Sequence, residues 1–298
     1  MRILICCLSA LLYPFKSNSQ KVADDFNTLF AFEVHTIDDF FERFNFKQNT
    51  AFLNFLAKNY QGNDLSRSRL IQYLFNYKND SINSDDILPF LSQVLEEDCP
   101  EFLNYKDADW YAELRCKVYY KKKPQNLTLI LKVEQSKRKY FRWSVVSAKA
   151  DFLNISRTKD DSLRYLWDPP YRKIDTTFSS KYFLSPMSHA LDFMDLDKIF
   201  FNNNHVSEYV YNGPQSSSLL KFVDQVKRSE ITFVQVNSVK YHLLQIDNWI
   251  MVVEYFFREE KNSGWLINKL VKATREQKEN YLTTSLNIPV MTVSFQQQ

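Results

Sequence analysis

The chain has 298 residues, of which 45% are hydrophobic and 16% aromatic, so it can bury large cores and is not globally disordered. Its formal net charge of +3 implies no general attraction to nucleic acid. Only Gly62, Gly213 and Gly264 stand where average usage would place roughly twenty glycines. With no GxGxxG, GxxxxGK[ST] or GxSxG, the phosphate-cradling nucleotide folds and the usual serine hydrolase elbow are disfavoured, because both need glycine where the backbone approaches closely or turns sharply.

Met1–Ser19 reads as a secretory signal peptide: Arg2 is a short positive region, Ile3–Tyr13 an apolar stretch, and Ser17-Asn18-Ser19 a small-x-small cleavage site. The competing reading is a buried first helix. Cys6 and Cys7 do not sit in a lipoprotein box, and no other stretch approaches about 18 uninterrupted apolar residues, so no transmembrane helix is expected. Loss of Arg2 and Lys16 leaves the mature chain near neutrality. The expectation is an exported product of the periplasm or extracellular space, in which Cys99 and Cys116 form either a disulfide or two buried thiols.

Four segments follow from this reading: the leader 1–19, a first unit 20–153, a connection 154–186 and a second unit 187–298. In the first unit, Thr36 caps a helix whose Phe40, Phe41 and Phe44 share one stripe. Further helices are expected over Ser66–Tyr77, with Leu70, Tyr73 and Leu74 inward, and over Ser84–Leu95, capped by Ser84. The period then changes to two. Trp110–Lys121 alternates cleanly, a turn spans Lys122–Asn126, Leu127–Glu134 alternates again, and Tyr140–Ala150 completes an antiparallel meander. Asp168-Pro169-Pro170 and Ser185-Pro186 punctuate the connection. The second unit repeats the order: a helix over Met187–Phe201 with Leu191, Met194 and Ile199 inward, a helix over Ser216–Lys227, then strands over Glu230–Ile246, Asn248–Arg258 and Gly264–Ala273. Leu127, Leu129, Leu131 and Val133 answer to Trp249, Met251, Val253 and Tyr255, and Trp143 answers to Trp265, which suggests a duplication. Residues 275–298 read as a tail packing on the body.

Helices followed by a long curved meander, carried by Ile37–Phe44 with Trp110–Ala150 and by Met187–Phe201 with Glu230–Ala273, resemble the nuclear transport factor two superfamily, with its SnoaL-like and ketosteroid-isomerase-like members. The resemblance is one of plan rather than motif. It implies an α+β fold of two tandem domains, each with helices on a cone-shaped, strongly curved meander, and it embraces isomerases, dehydratases and interaction domains alike.

No histidine among His35, His189, His205 and His242 lies in a metal-binding motif; His189 with Asp192, and His205 with Glu208, share helical spacing but lack further ligands, so neither a metal nor a cofactor is expected. An isomerase-like cone needs a carboxylate in an apolar pocket with a raised pKa. Glu254, interrupting the apolar run Trp249–Phe257, is the best candidate base, and Glu134 is its weaker counterpart; both also read as outward residues, Glu254 pairing with Arg258. Trp110, Trp143, Trp249 and Trp265 either form an exposed platform for a glycan, a peptide or a partner protein, or fill the cones, the commoner fate of tryptophan on a sheet. Lys121, Lys122, Lys123, Lys137, Arg138 and Lys139 mark two basic turns, and Asn126-Leu127-Thr128 matches a glycosylation pattern. The expected function is a non-catalytic binding or interaction module of the bacterial cell envelope; the alternative is a small-molecule lyase or isomerase using an acid in one cone. The partner is an unknown protein, a glycan or a small apolar ligand, not nucleic acid.

Overall fold

The structure is a computed structural model that describes residues 32–59, 66–80, 82–135, 140–154 and 181–289. The leader, the second basic turn, most of the connection and the last residues of the tail lie outside them.

The protein is α+β, and the strands among the described residues form one six-stranded antiparallel sheet. Helices α1 (Ile37–Phe44), α2 (Ala51–Asn59), α3 (Arg67–Tyr73) and α4 (Ser84–Val94) precede β1 (Trp110–Tyr120), β2 (Lys123–Gln135) and β3 (Phe141–Lys149). After the connection come α5 (Lys198–Phe201), α6 (Ser217–Lys227), β4 (Ile231–Leu243), β5 (Trp249–Phe256), β6 (Gly264–Lys272) and α7 (Arg275–Thr284). The strand order is β3-β2-β1-β4-β5-β6. Both expected meanders are present, joined edge to edge: β1 and β4 pair along the whole of β1, from Trp110 opposite Leu243 to Tyr120 opposite Ile231.

The helices cross over between the halves. The first-half segments around Val34 and Phe75 bridge to Gly264 and Ile267 on β6, and α1 and α4 pack there. Leu184, at the end of the connection, and Val210 of the second half bridge to Trp143 and Val145 on β3, and α6 packs on that strand. Each half therefore covers the outer edge of the other half's meander. One hydrophobic cluster runs through both, from Phe40, Phe41 and Phe90 to Trp110, Trp143, Phe222, Tyr241 and Trp249. On the opposite face of the sheet, Tyr111, Ile130, Val146 and Ile250 pack under Leu286, Ile288 and α7.

Local chemistry explains most boundaries. Thr36 Oγ1 accepts from the Asp39 N–H, and Ser66 and Ser216 cap α3 and α6 in the same way. Asn83, one residue before the expected Ser84, caps α4. Tyr73, expected inward, is 40% exposed while Leu70 and Leu74 are buried. The β1–β2 turn is tighter than expected. Lys121 and Lys122 both take positive φ, at 49° and 68°, as a two-residue hairpin with primed-turn twist requires. Pro124 then lies inside β2, where β3 has not yet begun to pair, so its missing N–H breaks no ladder on that side.

The helix expected over Met187–Phe201 is not continuous. It is two 3-10 turns, Ser188–Leu191 and Met194–Asp197, followed by the short α5. Asp192 and Phe193 between them take φ of 47° and 57°. This break rotates the register, so Phe193, Leu196 and Ile199 turn inward while Leu191 and Met194 are left exposed. The expected tail forms α7. Its Thr274 and Gln277 make a reciprocal capping box, a pattern present in the sequence.

Candidate functional site

β4 carries the feature that sets the second half apart. Strict alternation from Ile231 would drive Gln235 and Asn237 into the core. Two bulges prevent this, because β1 skips Val234 and Asn237 in its register with β4. Phe233, Val236 and Val239 consequently point inward, opposite Val118, Cys116 and Leu114. Thr232, Gln235 and Ser238 stand outward beside Tyr119, Lys117 and Arg115.

On its other side β4 pairs with β5 only through Lys240, Tyr241, His242 and Leu243. Past Glu254, β5 runs on through Tyr255 and Phe256 paired only with β6 and leaves β4. The sheet splits there. The wedge between β4 and the β5–β6 hairpin is a cleft of about 830 Å³, with the Asp192–Met194 bend at its inner wall. Its lining combines aromatic and apolar side chains (Phe193, Phe233, Trp265) with His35, Arg115, Lys240 and Glu254.

Glu254 thus lies in a cleft of the kind its chemistry would need, but it is not poised as a base. Its Oε2 is 2.8 Å from Lys240 Nζ, and its Oε1 accepts from Asn268 Nδ2 at 2.8 Å. Both oxygens have donors, so neither is held bare against apolar walls. Arg258 does not pair with Glu254; it donates to Asn262 and Asn76 instead. Glu134 takes Arg142 at 2.9 Å and the Ser144 hydroxyl at 2.7 Å on the sheet's other half. Two cleft groups are perturbed. Burial raises the Asp192 carboxyl, and burial together with a 2.7 Å hydrogen bond to Glu33 pushes the Tyr255 hydroxyl up to about 12.

The four tryptophans form no platform. Trp110, Trp143, Trp249 and Trp265 are all buried. They lie on the inward side of their strands, and burying rings of that size yields more than exposing them. Trp110 meets Phe41, Trp143 and Tyr241 at ring distances of 5.1, 4.7 and 5.8 Å, and Trp249 Nε1 donates to Gln93 Oε1 at 3.0 Å. Only Trp265 borders the cleft. Cys99 is exposed and Cys116 buried, and the two are free thiols rather than a disulfide. Cys116 faces inward from β1, out of reach of a bend on the surface.

The histidines separate. His189 is buried and turns away from Asp192: its Nε2 is 3.1 Å from Asp38 Oδ1, and Trp143 Nε1 donates to its Nδ1 at 3.3 Å. This leaves the ring proton on Nε2, a satisfied core histidine that ties the first 3-10 turn to α1. His205 stacks on Tyr182 at 3.8 Å rather than joining Glu208. His242 Nδ1 lies 2.7 Å from the Tyr281 hydroxyl, and its Nε2 lies 3.3 Å from a Glu113 carboxylate oxygen. Among the described residues no group of three or more His, Cys, Asp or Glu could hold a metal, and no helix is long and apolar enough to cross a membrane.

Sequence reasoning reached Glu254 but missed the cleft that contains it. The available signal was the polar pair Gln235 and Asn237 at inward positions of an otherwise apolar strand. Comparison with protein families, curated proteins and solved structures finds no match to this chain.

Proposed function

We propose that this protein is an exported, non-catalytic binding module of the cell envelope, built from two tandem copies of a cone-like α+β plan of the nuclear transport factor two type, and that it holds its ligand in the cleft between β4 and the β5–β6 hairpin. The observation that carries the reading is the cleft itself: about 830 Å³, within the size range of ligand sites, with apolar walls and a few charged groups. Of the two acids that line it, Glu254, the residue expected as the base, is already engaged by Lys240 and Asn268. A general base needs a free lone pair within reach of a substrate proton. The mirror-symmetric strand order around β1 and β4 supports the duplication.

A screen of small apolar compounds and short peptides by thermal shift and tryptophan fluorescence tests the reading, with Trp265 at the cleft as the reporter. Expected are ligands that raise Tm without being consumed. Turnover of any of them, abolished in a Glu254→Gln variant, would replace the binding reading with the lyase or isomerase one.

A further inference from the structure

We propose that the cleft takes up an extended peptide with acidic residues along one side, which adds to the sheet as the missing strand beside Thr232–Val239. The inference rests on the binding reading and names its partner class. Both outer edges of the sheet are covered, β3 by Leu184 and Val210 and β6 by Val34 and Phe75. The split inside the sheet is not. Among the described residues, no strand, bridge or backbone hydrogen bond engages Thr232–Val239 on the side away from β1. Buried or half-buried backbone groups seek partners, and an open strand edge is a template for pairing. The two bulges at Val234 and Asn237 blunt the edge against indiscriminate pairing between copies while leaving Thr232, Gln235 and Ser238 exposed on it.

Charge sets the chemistry of the guest. A strand at the vacant position lies one strand spacing from β4 and two, about 10 Å, from β1. The outward side chains beside it are Lys117, with no ion-pair partner among the described residues, Arg115, which has only a 3.5 Å contact with Glu113, and Lys240, which Glu254 neutralises. This lip carries excess positive charge and suits carboxylates on the guest's outward side. The inner wall holds Phe193, Phe233, Trp265 and the carboxyl of Asp192, which has no ion pair among the described residues, so it suits apolar side chains and repels a second acid. The guest is therefore acidic on one face and apolar on the other, a strand-like alternation.

The test is a capped nine-residue peptide of alternating Glu and Val, added to the full chain and followed by amide hydrogen exchange and calorimetry. Expected is at least tenfold slower exchange confined to residues 232–239. Affinity should fall at least tenfold when alternate peptide amides on the bonding edge are N-methylated, and by a similar factor with Lys in place of Glu or in an Arg115→Glu, Lys117→Glu double variant. Equal binding of the N-methylated peptide, or binding without protection of 232–239, overturns strand addition. If no peptide binds while small apolar compounds still raise Tm and shift Trp265 emission, strand addition fails and the binding module stands. If nothing binds, both fail.

Discussion

Single side chains in this fold are governed mainly by which face of the sheet they occupy. Cys116 faces the core, where burial pushes its thiol up to about 12, whereas Cys99 is exposed. In the folded protein a thiol-reactive probe should label Cys99 and spare Cys116 until denaturant is added. Peptide mapping checks this, and protection of both residues that is lifted by a reductant would instead reveal a disulfide. On the outer face, the neighbouring His242 ring holds the Glu113 carboxyl below the usual carboxylate range, and Arg115 and Lys240 add to the effect. A carboxyl with a depressed folded-state pKa stabilises the fold above its unfolded pKa, and that contribution is lost as pH falls through the depressed value. A Glu113→Gln variant should therefore melt below the parent at pH 7 and converge with it in acid. Parallel melting curves across pH would show that Glu113 contributes nothing through its charge. Glu254 was legible in the sequence as an acid inside an apolar strand. Its two donors were not, because Lys240 and Asn268 reach it across strand pairings that no local pattern encodes.

At the scale of elements, short-range rules placed the Thr36 cap, the inward stripe of α1 and the six strands, put the α4 cap one residue late and gave no helix over Ala51–Asn59. They failed where the backbone needed an unusual conformation. The helix read over 187–201 breaks because Asp192 and Phe193 adopt left-handed φ, a conformation that Asp tolerates better than most residues but that Phe does not announce. Gly264 is the converse case, a rare glycine at a position that demands it. Its φ is 92°, and an added Cβ would lie 2.2 Å from the Val34 carbonyl oxygen. The Trp265 N–H donates to that same oxygen at 2.9 Å, so the close approach locks the segment before α1 onto β6. Gly264→Ala should cost about 3 kcal/mol through strain and collision, lowering Tm by roughly 5–10 °C. A melting curve unchanged by the substitution would mean that the Val34–Gly264 contact is not made.

The molecule as a whole is one sheet in which each half covers the other's edge. Cutting between the halves would expose β1 and β4 along their shared ladder and strip α1 and α4 from β6 and α6 from β3. Residues 32–154 and 181–289 produced separately should show no cooperative melt, and mixing them should restore one. A sharp transition in either fragment alone would mark it as an independent domain. The cleft also belongs to this scale: it exists because the β4–β5 ladder stops at Lys240 and Glu254 while β5 continues with β6, a divergence with meaning only once the strands are paired.

The sequence alone determined the α+β class, two helix-then-meander halves, the inward phenylalanine stripe of α1, and the absence of glycine-dependent phosphate loops. These follow from periodicity and from the conformational limits of individual residues, which act within a few positions along the chain. Tertiary structure decided that the meanders fuse through β1 and β4, that the helices cross over, and that β4 keeps an edge left open by the described residues inside the sheet. Those outcomes depend on which strand edges meet and how far each ladder runs, and hydrogen bonds between residues more than a hundred positions apart leave no periodic trace in the chain.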